Sequence, residues 1–291
     1  MATTTAQAFN EFSEIVSLTA TQNLQVKQRK QAATDYLAKF FDSGSSTPVA
    51  WSKLMGSVER ETIIRPLDDI DVIAKFNNKD DVFEKYRYAS SDFLHHIRNA
   101  LDAKTQIQQV GTRGQVVRLF YTSGPHVDIA CVFGWNSGGY VIPDGSGSWQ
   151  QTDPFAQAKW IDERQKALGG YLKRRVRFLK RWNRVHSRRL DSFHLEVMVA
   201  NSFDSMNSDS RDCLEKFFTW GPSHLRVLDP AGYSGDLSDY LDWNDRQAVL
   251  QTLESARSRA AKANAAEAEG NHAEAIRLWR IILGDEFPAY G

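Results

Sequence analysis

Only two cysteines, Cys131 and Cys213, occur in the 291 residues. They allow no disulfide framework and no cysteine-based zinc cluster. Neither sign of charge dominates, with Lys and Arg together numbering 36 and Asp and Glu the same. That balance excludes a global basic field for wrapping long nucleic acid. No apolar run is long enough to span a bilayer. The start, Met1-Ala-Thr-Thr-Thr, lacks the basic segment and apolar stretch of a signal peptide. A soluble, reducing, cytoplasmic setting is the expectation. Also missing are Gly-x-x-x-x-Gly-Lys-Ser/Thr, Gly-x-Ser-x-Gly and His-Glu-x-x-His, the signatures of P-loops, hydrolase elbows and zincin helices. His95, His96 and His194 have no Cys or His at metal-ligand spacing and read as packing or surface residues.

What is present is ordinary globular material, 42% apolar and 25% charged, enough for one large domain or two small lobes. Apolar residues at helical spacing predict one or two helices over residues 7–42. A turn and an acidic strand follow within 52–76, and a helix over 80–103. Strands are expected near 105–110, 115–122, 126–133 and 139–142, then a Gly/Ser-rich loop over 143–153. Beyond 154 helices are expected near 155–188, 192–203, 208–219, 235–268 and 271–283. This predicts an α+β protein, with an acid-bearing lobe over 1–153, including the first helices, and a helical lobe over 154–291.

The most informative stretch runs from Gly56-Ser57 to Asp69-Ile70-Asp71-Val72. Side chains alternate along a strand, so residues two apart share a face about 7 Å from each other. Asp69 and Asp71 therefore point one way, while Ile70, Val72 and Ala74 pack the other way. In His126-Val127-Asp128-Ile129, Val127, Ile129, Cys131 and Phe133 alternate and leave Asp128 on the opposite side. If the strands are neighbours, three carboxylates converge and need cations. Mg²⁺ takes oxygen ligands and substrate phosphates, and two such ions roughly 3.5–4 Å apart serve both the attacking and the leaving oxygen. The glycine of the Gly56-Ser57 turn lets backbone approach a phosphate. Asp68 reads as a solvated turn acid.

These residues resemble the polymerase-β-like nucleotidyltransferase superfamily. More closely they resemble the cGAS/DncV-like nucleotidyltransferases (CD-NTases, SMODS domain) of bacterial anti-phage CBASS systems. Gly-Ser-x-x-Arg-x-Thr-x-Ile-x-Pro from Gly56 to Pro66 carries the likeness, with Val127-Asp128-Ile129 and Tyr140-Val-Ile-Pro-Asp144. Trp149 with Thr152-Asp153-Pro154, Leu179-Lys180-Arg181-Trp182-Asn183 and Ser192-Phe193-His194-Leu195-Glu196 extend it. The tail adds Ala275-Ile276, Trp279, Gly284 and Phe287-Pro288. The chain departs from the pattern at Glu61, where relatives often carry Gly, and at Cys131, where they often carry Pro.

The resemblance implies a mixed β-sheet lobe and a helical lobe about a central cleft, with an amino-terminal helix crossing to the second lobe. It implies synthesis of a cyclic di- or trinucleotide from nucleoside triphosphates, ATP or GTP above all with pyrimidines open, and a downstream effector of the product. Asp69, Asp71 and Asp128 would be catalytic and bind two Mg²⁺, or Mn²⁺. Gly56, Ser57, Lys180 and Ser192 would hold the donor triphosphate and Phe193 would stack on its base. Ordinary core packing remains open for Phe193, and a helix N-cap for Ser192. The terminal Gly291 would suit conjugation by an accessory ubiquitin-transfer-like protein, against the plainer reading of a short frayed tail. Lys173, Arg177 and Arg184 share a helix face with Lys180 and read as a solvated stripe. Arg60 holds the turn or contacts phosphate, Thr62 satisfies turn backbone, and Arg118 pairs with an acid. Trp149 leans to the core. The same triad would also serve a linear polymerase or a transferase acting on RNA, protein or a small molecule. An inactive nucleotide-binding regulator is the alternative of another class.

Overall fold

The computed structural model describes residues 2–102 and 109–291. In chain order the helices and strands are α1 (Thr5–Val16), α2 (Ala20–Phe40), β1 (Val49–Leu54), α3 (Gly56–Glu59), β2 (Asp69–Phe76), α4 (Val82–Tyr86) and α5 (Ser90–Asp102). Then come β3 (Gln109–Arg113), β4 (Val116–Phe120), β5 (His126–Gly134), β6 (Tyr140–Pro143) and β7 (Trp149–Thr152). The rest is helical: α6 (Pro154–Ala167), α7 (Leu172–Val185), α8 (Ser192–Asn201), α9 (Ser210–Trp220), α10 (Trp243–Ala268) and α11 (His272–Leu283). Most of the strand expected near 105–110 lies outside the described residues; its last two positions belong to β3.

The chain forms two compact units. One comprises Thr19–Arg60 and Leu67–Ala156; the other comprises Met1–Leu18, Glu61–Pro66 and Gln157–Gly291. The sequence-based division at 153/154 is thus drawn differently by packing. Residue 61–66 and α1 group with the helices, because α1 contacts α7 and α11 and the Arg65 N–H donates to the Val16 carbonyl at 3.0 Å.

The first unit holds a mixed sheet ordered β1-β2-β5-β4-β3, with β6 and β7 continuing from β5. β2 and β5 are parallel and the other pairs are antiparallel. Each strand has one apolar face along its length, and its other face begins with the acids and turns apolar further along. Ile70, Val72, Ala74, Val127, Ile129 and Cys131 are all fully buried on one face. On the other face Ile73, Ala130, Val132 and Ile142 form a small cluster with Trp51 and Phe155. Burial pushes the Cys131 thiol up, so it stays protonated and inert.

Two strands escaped the sequence reading. β1 is a half-exposed edge strand, and β7 is Trp149-Gln-Gln-Thr152, which carries little β signal. Backbone pairing to β2 and β6 defines them. Trp149 does lean to the core, with its ring 5.2 Å from Phe83 and its Nε1 donating to the Tyr86 carbonyl at 2.9 Å. The helix expected over 155–188 is two helices. Gly169 and Gly170 break it at φ 70° and 83°, a region that glycine enters without Cβ strain. The helix expected from 235 starts at Trp243, where Asp242 caps the Asp245 N–H.

In the helical unit Phe9, Phe12, Phe178, Trp279 and Phe287 pack as one aromatic group with ring centroids 5.0–5.8 Å apart. The end of the chain is not frayed. Phe287 is fully buried, and the Ala2 N–H donates to the Ala289 carbonyl at 2.9 Å. No described helix is long and apolar enough to cross a membrane.

Candidate active site

The parallel register of β2 and β5 sets Asp71 beside Asp128 as Cα partners, and Asp69 beside His126. Directly opposed residues share a face with Cβ atoms about 5 Å apart. Asp69 lies two residues from Asp71 and so joins the same face. All three expected carboxylates are therefore brought together at the start of two central strands. Asp128 is buried and Asp69 is half exposed. Asp68, just before β2, is exposed.

Arg118 completes the row. It is the Cα partner of Asp128 on β4. Its Nε donates to Asp128 Oδ1 at 2.5 Å, and its Nη2 donates to Asp128 Oδ2 and to Asp69 Oδ2, the latter at 3.1 Å. The pairing with an acid is visible in the sequence only as strand adjacency; the double engagement is not.

The carboxyl of Asp71 is pushed up to about 6, first by burial and then by the charges of Asp69 and Asp128, against the opposing pull of Arg60 and Arg118. Arg60 is buried close by, and its N–H donates to the Gly56 carbonyl at 3.1 Å. Gly56 opens α3 at φ 69°, and a Cβ there would fall 2.2 Å from Asp71 Oδ2. Only glycine fits both the backbone and the space. The Met55 N–H donates to the Asp71 carbonyl at 3.0 Å, so the Gly56-Ser57 turn is tied to the acidic strand. No side chain caps α3.

With these side-chain positions, no group of three or more His, Cys, Asp or Glu among the described residues is placed to hold a metal ion. The Asp128 and Asp69 carboxylates are turned onto Arg118 instead. The donor set nonetheless fits a hard divalent cation. It is all oxygen, and three carboxylates face two guanidiniums; burial first, then the charges of Asp69 and Asp128, raise the Asp71 carboxyl.

The other expected binding residues belong to the helical unit. Lys180 is buried on α7 and donates to Glu196 Oε1 at 2.6 Å and to Thr62 Oγ1 at 3.2 Å. The stripe beside it is not solvated, contrary to expectation at two positions. Lys173 bridges Glu61 at 2.8 Å and Asp162 at 2.7 Å, and Arg177 donates to the Glu61 carbonyl at 2.8 Å. Helical spacing shows a shared face but not what faces it. Glu61 sits at φ 56°, in the left-handed region that favours glycine.

Ser192 is exposed and is the first residue of α8, with Phe193 partly buried behind it. Local spacing does not reveal what steadies this helix start. His194 Nε2 lies 2.7 Å from the Leu225 carbonyl and must donate to it. Its Nδ1 then accepts from the Tyr240 hydroxyl at 2.9 Å, and that oxygen accepts from the Asp191 N–H at 2.7 Å. Burial holds His194 below its ordinary pKa and favours this neutral form.

Residues 3–165 match the family described as the Second Messenger Oligonucleotide or Dinucleotide Synthetase domain. A probable cyclic nucleotide synthase of Bacillus cereus is 26% identical over 270 residues, covering 81% of each chain. Among solved structures, CdnC of Escherichia coli MS115-1 in complex with HORMA-deltaN superposes with a TM-score of 0.81 at 18% identity, covering 97% of this chain and 98% of that one. The CD-NTase CdnG of Bradyrhizobium diazoefficiens in complex with GTP gives a TM-score of 0.75 at 14% identity, covering 97% and 96%. These likenesses show the polymerase-β-like fold, and the family match spans more than half of the chain. The chain therefore belongs to the second messenger oligonucleotide or dinucleotide synthetase family, the metal-dependent cGAS/DncV-like nucleotidyltransferases that make cyclic oligonucleotides.

Proposed function

We propose that the chain joins nucleoside triphosphates into a cyclic di- or trinucleotide at the row formed by Asp69, Asp71 and Asp128, with two Mg²⁺ as cofactors and Mn²⁺ as a substitute. The observation that supports this most is the rung shared by Asp71 and Asp128 in a parallel strand pair, with Gly56 seated against the Asp71 carboxylate. When bound, two Mg²⁺ would activate an acceptor ribose hydroxyl and neutralise the departing pyrophosphate. In this reading Asp69, Asp71 and Asp128 would hold the ions.

Gly56 and Ser57 offer backbone N–H groups and a hydroxyl to the triphosphate. Lys180 and Ser192 take its charge as well, Ser192 from a helix N-terminus that favours anions. Phe193 stacks on the donor base. The acceptor hydroxyl attacks the α-phosphorus in line and pyrophosphate leaves. A second transfer within the linear product closes the ring. ATP and GTP are the proposed substrates, GTP being the ligand of the Bradyrhizobium neighbour. The product signals to a downstream effector in anti-phage defence. Conjugation of Gly291 by an accessory ubiquitin-transfer-like protein belongs to the same proposal; Gly291 is exposed, and its N–H donates to the Ala2 carbonyl at 3.3 Å. Deleting Gly291 should remove any conjugate in cells that carry the accessory proteins.

The test of the main reading is mass spectrometry of products from all four nucleoside triphosphates with Mg²⁺ or Mn²⁺, before and after phosphatase treatment. Phosphatase-resistant rings are expected. Products that phosphatase degrades throughout would replace this reading with linear polymerisation.

A further inference from the structure

The geometry points to Arg118 as a positioning residue that orients Asp128 and Asp69 to receive divalent ions, an inference that rests on those aspartates being the ion ligands. Arg118 and Asp128 face each other across β4 and β5, and are only 7% and 8% exposed. The guanidinium meets Asp128 as a fork, through Nε to Oδ1 and Nη2 to Oδ2, and the same Nη2 reaches Asp69 Oδ2 at 3.1 Å. One planar group thus fixes the rotation of two of the three carboxylates. A lysine ammonium at this position keeps the charge but cannot reproduce a two-point contact. An ionised carboxylate carries about four lone-pair sites. The fork uses two of them on Asp128 and leaves a side of each oxygen open to an ion.

A contribution to stability alone explains this arrangement less well. A buried ion pair is weak evidence of net stabilisation, because lost hydration offsets most of the attraction. Groups that orient metal ligands, by contrast, typically change metal affinity or activity by about 10–100-fold when removed.

The test is Arg118→Lys in the full chain, titrated with Mn²⁺ alone and followed by the loss of the free Mn²⁺ electron paramagnetic resonance signal. Wild type and Asp128→Asn are titrated alongside. Arg118→Lys should weaken Mn²⁺ binding by about 10–100-fold, and its rate of synthesis should climb back towards wild type as Mn²⁺ is raised. A merely structural role would lower the melting temperature and leave the Mn²⁺ dependence where it was. If Arg118→Lys binds Mn²⁺ as tightly as wild type, or more tightly, the role given to Arg118 is overturned. Asp128→Asn should lose both binding and synthesis. If it keeps both, the assignment of the site itself falls, which is a different result from an unaltered Arg118→Lys. Should Arg118→Lys not fold, Arg118→Gln is titrated in the same way, with the same direction expected and the same result overturning it.

Discussion

Two groups of buried charge, one in each unit, are balanced in opposite ways. In the helical unit Lys180 meets Glu196 at 2.6 Å, with Thr62 as a second acceptor at 3.2 Å. Cation and anion are matched there, and attraction and hydrogen bonding offset the hydration both have lost. In the sheet unit three carboxylates share a face, and the carboxyl of Asp71 is driven up to about 6 by burial and by Asp69 and Asp128. Two arginines oppose that shift without cancelling it. A like-charged cluster loses hydration and adds repulsion, so folding alone gives no reason to keep it. Violations of this kind collect where a protein does chemistry. The matched pair holds in place the lysine proposed to meet the triphosphate, and the mismatched row carries the proposed chemistry.

The contrast breaks most visibly at Asp71→Asn. Loss of this proposed ligand should lower product formation at least about a thousandfold, roughly 4 kcal/mol of barrier, in an initial-rate assay with Mg²⁺. Near-normal rates would place the chemistry elsewhere.

Glu196→Gln tests the other side. It leaves the Lys180 ammonium buried without its anion, and breaking one partner of such a pair costs about 3–5 kcal/mol. Urea unfolding should show that loss, and adding Lys180→Met should restore most of it. A loss typical of an exposed pair, below about 1 kcal/mol, would remove the distinction between the two clusters.

The smallest effect separates stability from activity within one residue. The folded-state pKa of Asp71 is raised from 3.8 to about 6, so between those values the folded chain binds more protons than the unfolded chain. Stability from this group is therefore greatest at the acid end and falls as pH rises through that window. The difference amounts to about 3 kcal/mol above the window, without divalent ions. Asp71→Asn should accordingly unfold at higher urea than the parent near neutral pH, and at nearly the same urea near pH 4. A difference between the two proteins that stays flat with pH would show that the row is not strained.

How much of this was legible in the sequence depended on distance along the chain. The shared face of Asp69 and Asp71, and the turning of Asp128 away from Val127 and Ile129, follow from the strand period alone. That β2 and β5 are parallel neighbours with Asp71 level with Asp128 is a long-range pairing that the period does not encode. Arg118 could be placed beside the acids, but its hold on two of them at once depends on side-chain reach across the sheet. Lys173 and Arg177 were misread as solvated because their partner, Glu61, lies more than a hundred residues away. Edge strands were the weakest part: β7 has a polar sequence and exists because β6 offers it a free backbone edge.

The level pairing of Asp71 with Asp128 has a consequence for how this enzyme can vary. Because each step along a strand reverses the direction of the side chain, deleting a single residue early in β5 would carry residue 128's carboxylate through the sheet to the side lined by Val127 and Ile129. Insertions in pairs would keep the direction and lose only the alignment. The proposed chemistry would thus be protected by odd and even count as well as by residue type, and length changes should be tolerated in the turn before His126 far better than within the strand itself.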